Sequence, residues 1–340
     1  MSADIATKTP FKAPVVDELS IRVVVDSSYE RFLRKAEHPM IKIEHVGRIP
    51  GRQMTTFAAE WGLSLHLDSA RAGEHTQFLL DFGYTPEVLN RNFDLLDLDP
   101  KRLDGLILSH GHRDHFGGLD GFVGHHRTHM RDDVALFVGG DTVFREKWIK
   151  EPDGDPESWG AIDRTMLKAQ NVAMVCCDTP HDLAGPFTSG YIERQSFEQV
   201  TGGTMVAREA GEDIDHFSPA ERMGRLVRDE HPDEHATCFV VKGRGLVVIS
   251  SCGHAGIVNT VRTAMAVANV DKVHAVLGGF HLGLAKPDYL QHTLEELKAI
   301  DPDVIVPMHC TGTPFISMLQ QHMPDKVVAS NVGSRFTFGV

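Results

Sequence analysis

The apolar positions of the chain fall into two similar rounds in which short strands alternate with helices. In the first round, residues 19–25, 63–67 and 76–80 read as strands, by alternation or by β-branched content. Asp81-Phe82-Gly83 closes the third of them. Thr85 is placed to cap a helix with Pro86 at its first position, and Val88, Leu89, Phe93 and Leu96 recur at the spacing of one helical face. The mostly apolar run 103–109 then predicts a buried strand.

In the second round, residues 237–241 and 246–250 flank Lys242-Gly243-Arg244-Gly245, a turn that reads as a hairpin. Ile257, Val258, Val261, Met265 and Ala268 mark an amphipathic helix, 273–277 a strand, Leu290, Leu294 and Leu297 another helix, and 304–306 a strand. A histidine follows each of these strand ends: His254 after the hairpin, then His281, then His309. Random placement would not respect that order, so the three read as parts of one convergent site. Between the rounds, residues 121–234 are less regular, with strands expected at 134–138 and 172–175 and a loop at 151–156. The polar, glycine-containing stretch up to Glu230 suits either an active-site lid or a surface insertion.

The chemistry begins where the 103–109 strand ends. His110-Gly111-His112-Arg113-Asp114-His115 places three imidazoles and a carboxylate within a few positions, the first two imidazoles on one side at period two. Imidazole with carboxylate suits zinc, and manganese or iron as well. Three neutral imidazoles crowded at a strand end are hard to explain without a cation to organise them. The bland alternative is a polar loop rich in histidine.

The stretch LILSHGHRDHFGGL resembles the HxHxDH signature of the metallo-β-lactamase superfamily. Four further segments narrow the resemblance: Ala59-Glu60-Trp61-Gly62-Leu63-Ser64, Ser251-Cys252-Gly253-His254-Ala255-Gly256-Ile257, Gly278-Gly279-Phe280-His281-Leu282 and Pro307-Met308-His309-Cys310-Thr311-Gly312. They are similar to the AEHGLS, GCSHAGI, GGFHL and PxHCTG patterns of the branch labelled dihydropterin-ribofuranosylaminobenzene-phosphate synthase-like. Ser189-Gly190-Tyr191-Ile192-Glu193-Arg194 looks like that branch's TGEIPR. The resemblance covers most of the chain from Leu19 onward. It implies an α/β (α+β) fold, a four-layer αββα sandwich with one or two divalent metal ions at the strand ends. It says far less about substrate, because one scaffold hosts many chemistries.

Composition changes this picture only at its edges. With 41% hydrophobic and 24% charged residues the chain has an ordinary globular make-up, and no apolar stretch is long enough to cross a bilayer. The balance of 34 basic against 47 acidic residues, net -13, works against broad contact with a polyphosphate backbone. The expected partner is therefore a small-molecule substrate, with neither nucleic acid nor membrane, and a homo-oligomer is left open. Residues 1–18 read as a polar leader without a hydrophobic signal core, and 19–340 as a single domain with a loop-rich insertion at about 183–234. Five cysteines are few and odd in number, unlike a secreted disulfide framework, so the cytoplasm is the expected address.

The resemblance assigns His110 and His112 to a first metal and Asp114 and His115 to a second, which His309 would close. His254 is preferred as the third histidine of the first metal; the alternative is that it only caps the following helix. His235 is its rival, standing where other branches place a ligand and this one commonly has glutamine. Cys252 stands near the position of the superfamily's bridging carboxylate, either as a buried small residue or as a thiolate within reach of metal. Asp81 matches an aspartate expected to orient a ligand histidine, and Asp104 is a candidate for similar work; either could be an ordinary turn carboxylate. The cluster His125-His126-Arg127-Thr128-His129 has no strand to aim it and is expected to face solvent.

A site of this kind binds water, lowers its pKa toward neutrality and holds the hydroxide against a carbonyl or phosphoryl centre. Asp114 and His281 are the expected catalytic residues: Asp114 ligates and orients that water, and His281 serves as general acid or oxyanion donor, the alternative being a seventh ligand. Three functions compete. The first is a metal-dependent hydrolase of a small anionic or ester-like substrate such as a phosphoester, lactone or thioester, with Arg113 hinting at an anion. The second is the transferase of the branch name, joining a dihydropterin methyl diphosphate to an aminobenzene, for which Trp61, Phe82, Phe122 or Tyr191 could line a ring pocket. The third is a silent metal-binding sensor, disfavoured because a structural zinc needs only four closed ligands.

Overall fold

The computed structural model describes residues 11–339 apart from 34–35, 48, 50, 53, 151–153, 201, 209–221 and 223. Part of the expected leader, of the 151–156 loop and of the 183–234 insertion therefore lies outside the described residues.

The first half of the chain runs β1 (Val15–Val16), β2 (Glu18–Val25), β3 (Lys42–His45), β4 (Ser64–Arg71), β5 (Glu74–Leu80), α1 (Pro86–Leu95), β6 (Gly105–Leu108), α2 (Arg113–Phe116), α3 (Leu119–His126) and β7 (Ala135–Val138). After it come β8 (Lys147–Ile149), β9 (Glu157–Gly160), α4 (Arg164–Ala169), β10 (Ala173–Cys176), β11 (Phe187–Thr188), β12 (Thr204–Ala207) and β13 (Leu226–Arg228). The second half holds β14 (Thr237–Val241), β15 (Gly245–Ser250), α5 (Ile257–Ala268), β16 (Val273–Gly278), α6 (Pro287–Ile300), β17 (Val304–Pro307), α7 (Thr313–His322) and β18 (Ser334–Phe338). The expected N-cap is in place: the Thr85 side chain accepts from Val88 N, with Pro86 opening α1. So is the hairpin, with Thr237 paired to Ile249 and Val241 to Gly245.

Two large sheets face each other. One has the order β10-β7-β6-β5-β4-β2-β18-β3, the other β1-β14-β15-β16-β17 with β11 on β14. Period-two alternation sends opposite sides of each strand into different cores. Ile107, Val247 and Ile249 join the cluster between the sheets with Ile21, Leu65 and Phe336. Leu106 and Leu108 point the other way, onto Leu89 and Phe93 of α1 and Phe122 of α3. Leu246 and Val248 likewise meet Val261 of α5, Leu294 of α6 and Phe315 of α7. Both faces of both sheets are thus covered, which makes the layers helix, sheet, sheet, helix, and explains why β6 and β17 read as continuous apolar runs.

Strands β5, β6 and β7 run parallel, as do β15, β16 and β17. Their carboxyl ends lie on one rim, the place where open α/β sheets bind ligands. Several elements had no counterpart in the reading of the sequence, β3, α3, α4 and α7 among them. β18 (SRFTF) inserts between β2 and β3, antiparallel to both. A third small sheet, β13-β12-β8-β9, is built from strands of three or four residues, too short to show a period.

Candidate metal centre

Each candidate ligand stands just past a strand end. β5 ends at Leu80, and Asp81 follows in a left-handed conformation (φ 59°), which turns its carboxylate toward β6. There it accepts hydrogen bonds from Ser109 N (2.8 Å), Ser109 Oγ (2.8 Å) and His115 Nδ1 (2.7 Å). Ser109 Oγ, having donated to Asp81, accepts from His110 Nδ1 at 2.9 Å. One carboxylate therefore holds the ring proton of both His115 and His110 on Nδ1 and leaves both Nε2 lone pairs free. This is the orienting role expected for Asp81. Asp104 has no such role: it accepts from Gln77 N and pairs with Arg131 before β6 begins.

His112 forms the N-cap position of α2, and Asp114 and His115 lie in that single turn, so the motif's side chains fan toward one point. Gly62 lets the Glu60-Trp61-Gly62 segment close over it, since a Cβ there would stand 2.6 Å from Asp114 O at φ 153°. From the second sheet, His254 follows β15. Its backbone N–H and that of Gly253 donate to Glu234 at 2.9 Å each. It does not cap α5, whose cap position is Gly256 and whose first N–H groups are taken by the Glu198 carboxylate. His309 follows β17 at φ 45°, with its N–H on Asp26 (2.9 Å), its Nδ1 3.3 Å from Ser27 Oγ and its Nε2 3.2 Å from Asp114 Oδ2.

The atoms these residues present to one another are buried and unpartnered: His110 Nε2, His112 Nε2, His115 Nε2, Asp114 Oδ1 and both ring nitrogens of His254. Buried polar atoms are almost always satisfied. A set of orphaned donors-to-metal at one point is what a divalent cation would satisfy, and the residues fit it. Donor atoms lie within 4.8 Å of one another in the sets His110, Cys252, His254; His112, His231, His254; His115, Cys252, His309; and Cys252, His281, Cys310. Five of the six residues assigned as ligands fall in these sets, and the sixth, Asp114, joins them through Oδ2, 3.2 Å from His309 Nε2 and 3.8 Å from His115 Nε2.

Burial pushes the His110, His112 and His254 imidazoles well below their ordinary pKa, so they remain neutral and able to coordinate. His309 differs: burial opposes its charge, but Cys310 and the Asp114 carboxylate outweigh burial and raise it to about 9. The proton between His309 and Asp114 occupies electron pairs that a cation would use.

Several residues of the site escaped the sequence reading. His231 Nδ1 is buried and unpartnered, its ring stacks on His254 (centroids 4.1 Å, 17° between planes), and burial holds it down at about 4. Asp229 Oδ2 lies 3.5 Å from His231 Nδ1 and 4.0 Å from His112 Nε2, and is paired with the buried Lys147 at 2.8 Å. The rival His235 is held away from the centre, its Nε2 donating to Leu108 O at 2.9 Å. In the 125–129 cluster His125 and His129 are exposed, but His126 is not: the last turn of α3 packs its ring on Phe122 (4.7 Å) and Phe93 (5.3 Å).

His281 follows β16 at φ 48°, its ring 4.1 Å from that of His254 and its Nδ1 3.5 Å from Cys252 Sγ. It lines a cavity of ≈ 380 Å³ together with Trp61, Gly202, Leu284 and Cys310. Of the aromatics considered for a ring pocket, Trp61 borders this cavity and packs on His309 (4.8 Å), whereas Phe82 and Phe122 are core residues. Trp159 packs on His112 at 5.0 Å.

An αββα sandwich with an HxHxDH turn at its rim is the arrangement of the metallo-β-lactamase fold, and the comparisons point to the same fold. The Lactamase_B model, described as the metallo-beta-lactamase superfamily, matches residues 71–130. The chain is 27% identical over 289 residues to a 7,8-dihydropterin-6-methyl-4-(beta-D-ribofuranosyl)-aminobenzene-5'-phosphate synthase of Methanocaldococcus jannaschii, covering 83% of this chain and 91% of that one. It is also 27% identical over 277 residues to an uncharacterized protein of the same organism, covering 78% and 89%. Among solved structures, a metal-dependent hydrolase of the beta-lactamase superfamily superposes with a TM-score of 0.67 at 22% identity, over 93% of this chain and 98% of that one. The chain thus has the metallo-β-lactamase fold, and its match to the superfamily model lies over the stretch that carries the HxHxDH turn. Among the described residues, no helix is long and apolar enough to cross a membrane.

Proposed function

We propose that the protein is a metal-dependent hydrolase of a small ester-like or anionic substrate, a phosphoester, lactone or thioester. What carries this reading is the convergence of buried, unpartnered donor atoms from His110, His112, Asp114, His115 and His254 on one rim beside an open cavity. A structural ion would be enclosed by its ligands, whereas a catalytic one keeps an open position. With one or two divalent ions bound, most simply zinc, with manganese or iron as alternatives, the centre supplies Lewis acidity and a nucleophile at neutral pH.

The chain's own groups supply the rest. Asp114 stays ionised although burial disfavours its charge, because His115 and His309 stand beside it; its free Oδ1 accepts a proton or orients a water. His281 sits between the donor cluster and the cavity, where it can hand a proton to a leaving group. Trp61 walls the cavity and packs against the His309 ring. The sequence from residue 19 onward acts as one domain, and the five unpaired cysteines suit a reducing cytoplasm.

The named synthase relative supports a second reading, transfer between a dihydropterin diphosphate and an aromatic amine, with Trp61 available for stacking. Metal analysis of the purified chain followed by phosphodiester, lactone and thioester panels tests the first reading. Pyrophosphate release that depends on added aromatic amine, with no turnover of the panels, would overturn it in favour of the second.

A further inference from the structure

Cys252 occupies a place that its burial alone does not explain. Cys238 shows what a cysteine used as a small apolar residue looks like, packed in the cluster of Leu246, Val248 and Val261. Cys252 is just as buried but belongs to none of the apolar clusters of the described residues. Its sulfur is instead the shared corner of three donor sets, with His110 and His254 on one side, His115 and His309 on another, and His281 and Cys310 on a third. Cys310 Sγ is 3.2 Å away and His281 Nδ1 3.5 Å.

Among the described residues, no carboxylate competes for this central point. Glu234 is spent on the N–H groups of Gly253, His254 and Ala255, and Asp229 and Asp233 are held by Lys147. Asp114 faces His115 and His309. Two divalent ions held by these imidazoles would have the single charge of Asp114 to balance them in a buried site, so a second anion at the shared corner is favoured.

We propose that Cys252 is a metal ligand, a thiolate shared between the His110/His254 and His115/His309 poles of the centre. Metal–sulfur bonds of roughly 2.3 Å and metal–nitrogen bonds of roughly 2.0 Å put two donors on one ion about 3.5 Å apart at tetrahedral angles. Side-chain shifts of about an ångström close the present spacing. Binding replaces the thiol proton, which leaves to solvent. Sulfur at the shared corner biases the centre toward softer ions such as zinc and cobalt over magnesium and manganese. This inference rests on the metal-centre reading above.

The test is cobalt(II) titrated into the metal-free full-length chain, followed by absorption spectroscopy. Thiolate ligation gives an intense near-ultraviolet sulfur-to-cobalt band, absent in Cys252→Ser and Cys252→Asp and retained in Cys310→Ser. The second cobalt should bind more than about tenfold more weakly to Cys252→Ser, with Cys252→Asp recovering much of that loss through its carboxylate. Wild-type cobalt protein with visible bands and no sulfur band would overturn the thiolate while leaving the metal centre standing, and needs no variant to fold. A band that survives in Cys252→Ser but disappears in Cys310→Ser would overturn it in favour of Cys310. A wild-type chain that binds no cobalt, zinc or manganese would sink both readings together.

Discussion

Asp81→Asn tests how the centre is oriented, because the consequences of changing one oxygen to an amide nitrogen can be followed atom by atom. Asparagine tolerates the left-handed backbone at residue 81, so the substitution adds no strain there. Its amide oxygen keeps the bond from Ser109 N, while the NH₂ takes the place of the oxygen that accepts from Ser109 Oγ and His115 Nδ1. Two donors now face each other at His115. The ring relieves this by moving its proton to Nε2, the atom turned toward Asp114 and His309. Its lone pair for metal is then gone. His110 follows through Ser109: the new NH₂ at position 81 now donates to Ser109 Oγ, whose hydroxyl proton turns to His110 Nδ1 and sends that ring's proton to Nε2 as well. Orienting partners of this kind are worth about 10- to 100-fold in metal affinity, or roughly 1.4–2.7 kcal/mol. The loss should fall on the ion held by Asp114, His115 and His309, and through Ser109 on the ion at His110 and His254 as well. Zinc titrated against a chromophoric chelator, with metal content measured after dialysis, resolves the two equivalents. Two wild-type affinities in Asp81→Asn would refute the argument that the carboxylate sets the His115 tautomer.

His281→Ala should keep its full metal content and lose about 10²- to 10⁴-fold in turnover, as for removal of a general acid; metal loss on elemental analysis would instead make His281 a ligand. His66 gives a pH dependence far from the centre: it is buried with Nε2 unpartnered, and burial holds its pKa at about 4. The unfolded chain takes up that proton below about pH 6.5 and the folded chain refuses it until about 4, so stability falls as pH drops through this window, by at most about 1.4 kcal/mol per unit for one group. Urea midpoints at pH 7 and pH 5 should draw closer together in His66→Phe than in wild type, and an unchanged difference would remove His66 as the cause.

The parts of the site that were legible in the sequence are those tied to strand ends. His110, His254 and His309 could be placed because each follows a strand whose apolar run is unmistakable once both of its faces are buried. Asp81 was legible for the same reason. His231, Asp229 and Lys147 were not, because they are carried by the small third sheet, whose strands have three or four residues and no resolvable period. A lysine reads as a surface residue until the two aspartates that pair with it are known, and those lie 82 and 86 positions further on. His231 lies four residues before His235, the one of the two that the sequence singled out. The choice is made by a tertiary contact, the hydrogen bond of the His235 ring to Leu108 O, which fixes that ring against β6. The missed edge insertion of β18 had a signal, the alternation of Arg335, Phe336, Thr337 and Phe338.

Backbone conformation adds a line of reasoning independent of the histidine count. Asp81, His231, His281 and His309 all adopt positive φ, between 45° and 59°. Each such residue outside glycine costs of order 1 kcal/mol or more and persists only where the surroundings over-determine it. Here the surroundings are the buried parallel strands, which cannot shift: a Cβ on Gly278 of β16 would lie 1.9 Å from Ser250 O of β15. The strands therefore hold the chain in place up to the rim, and the left-handed residue that follows β5, β16 or β17 turns its side chain back over the sheet ends. Without an ion, the rim combines strained backbone with unpartnered buried nitrogens, two unfavourable features at one place. A cation relieves the second and is held by the first, so this part of the fold should be far more stable with metal than without it.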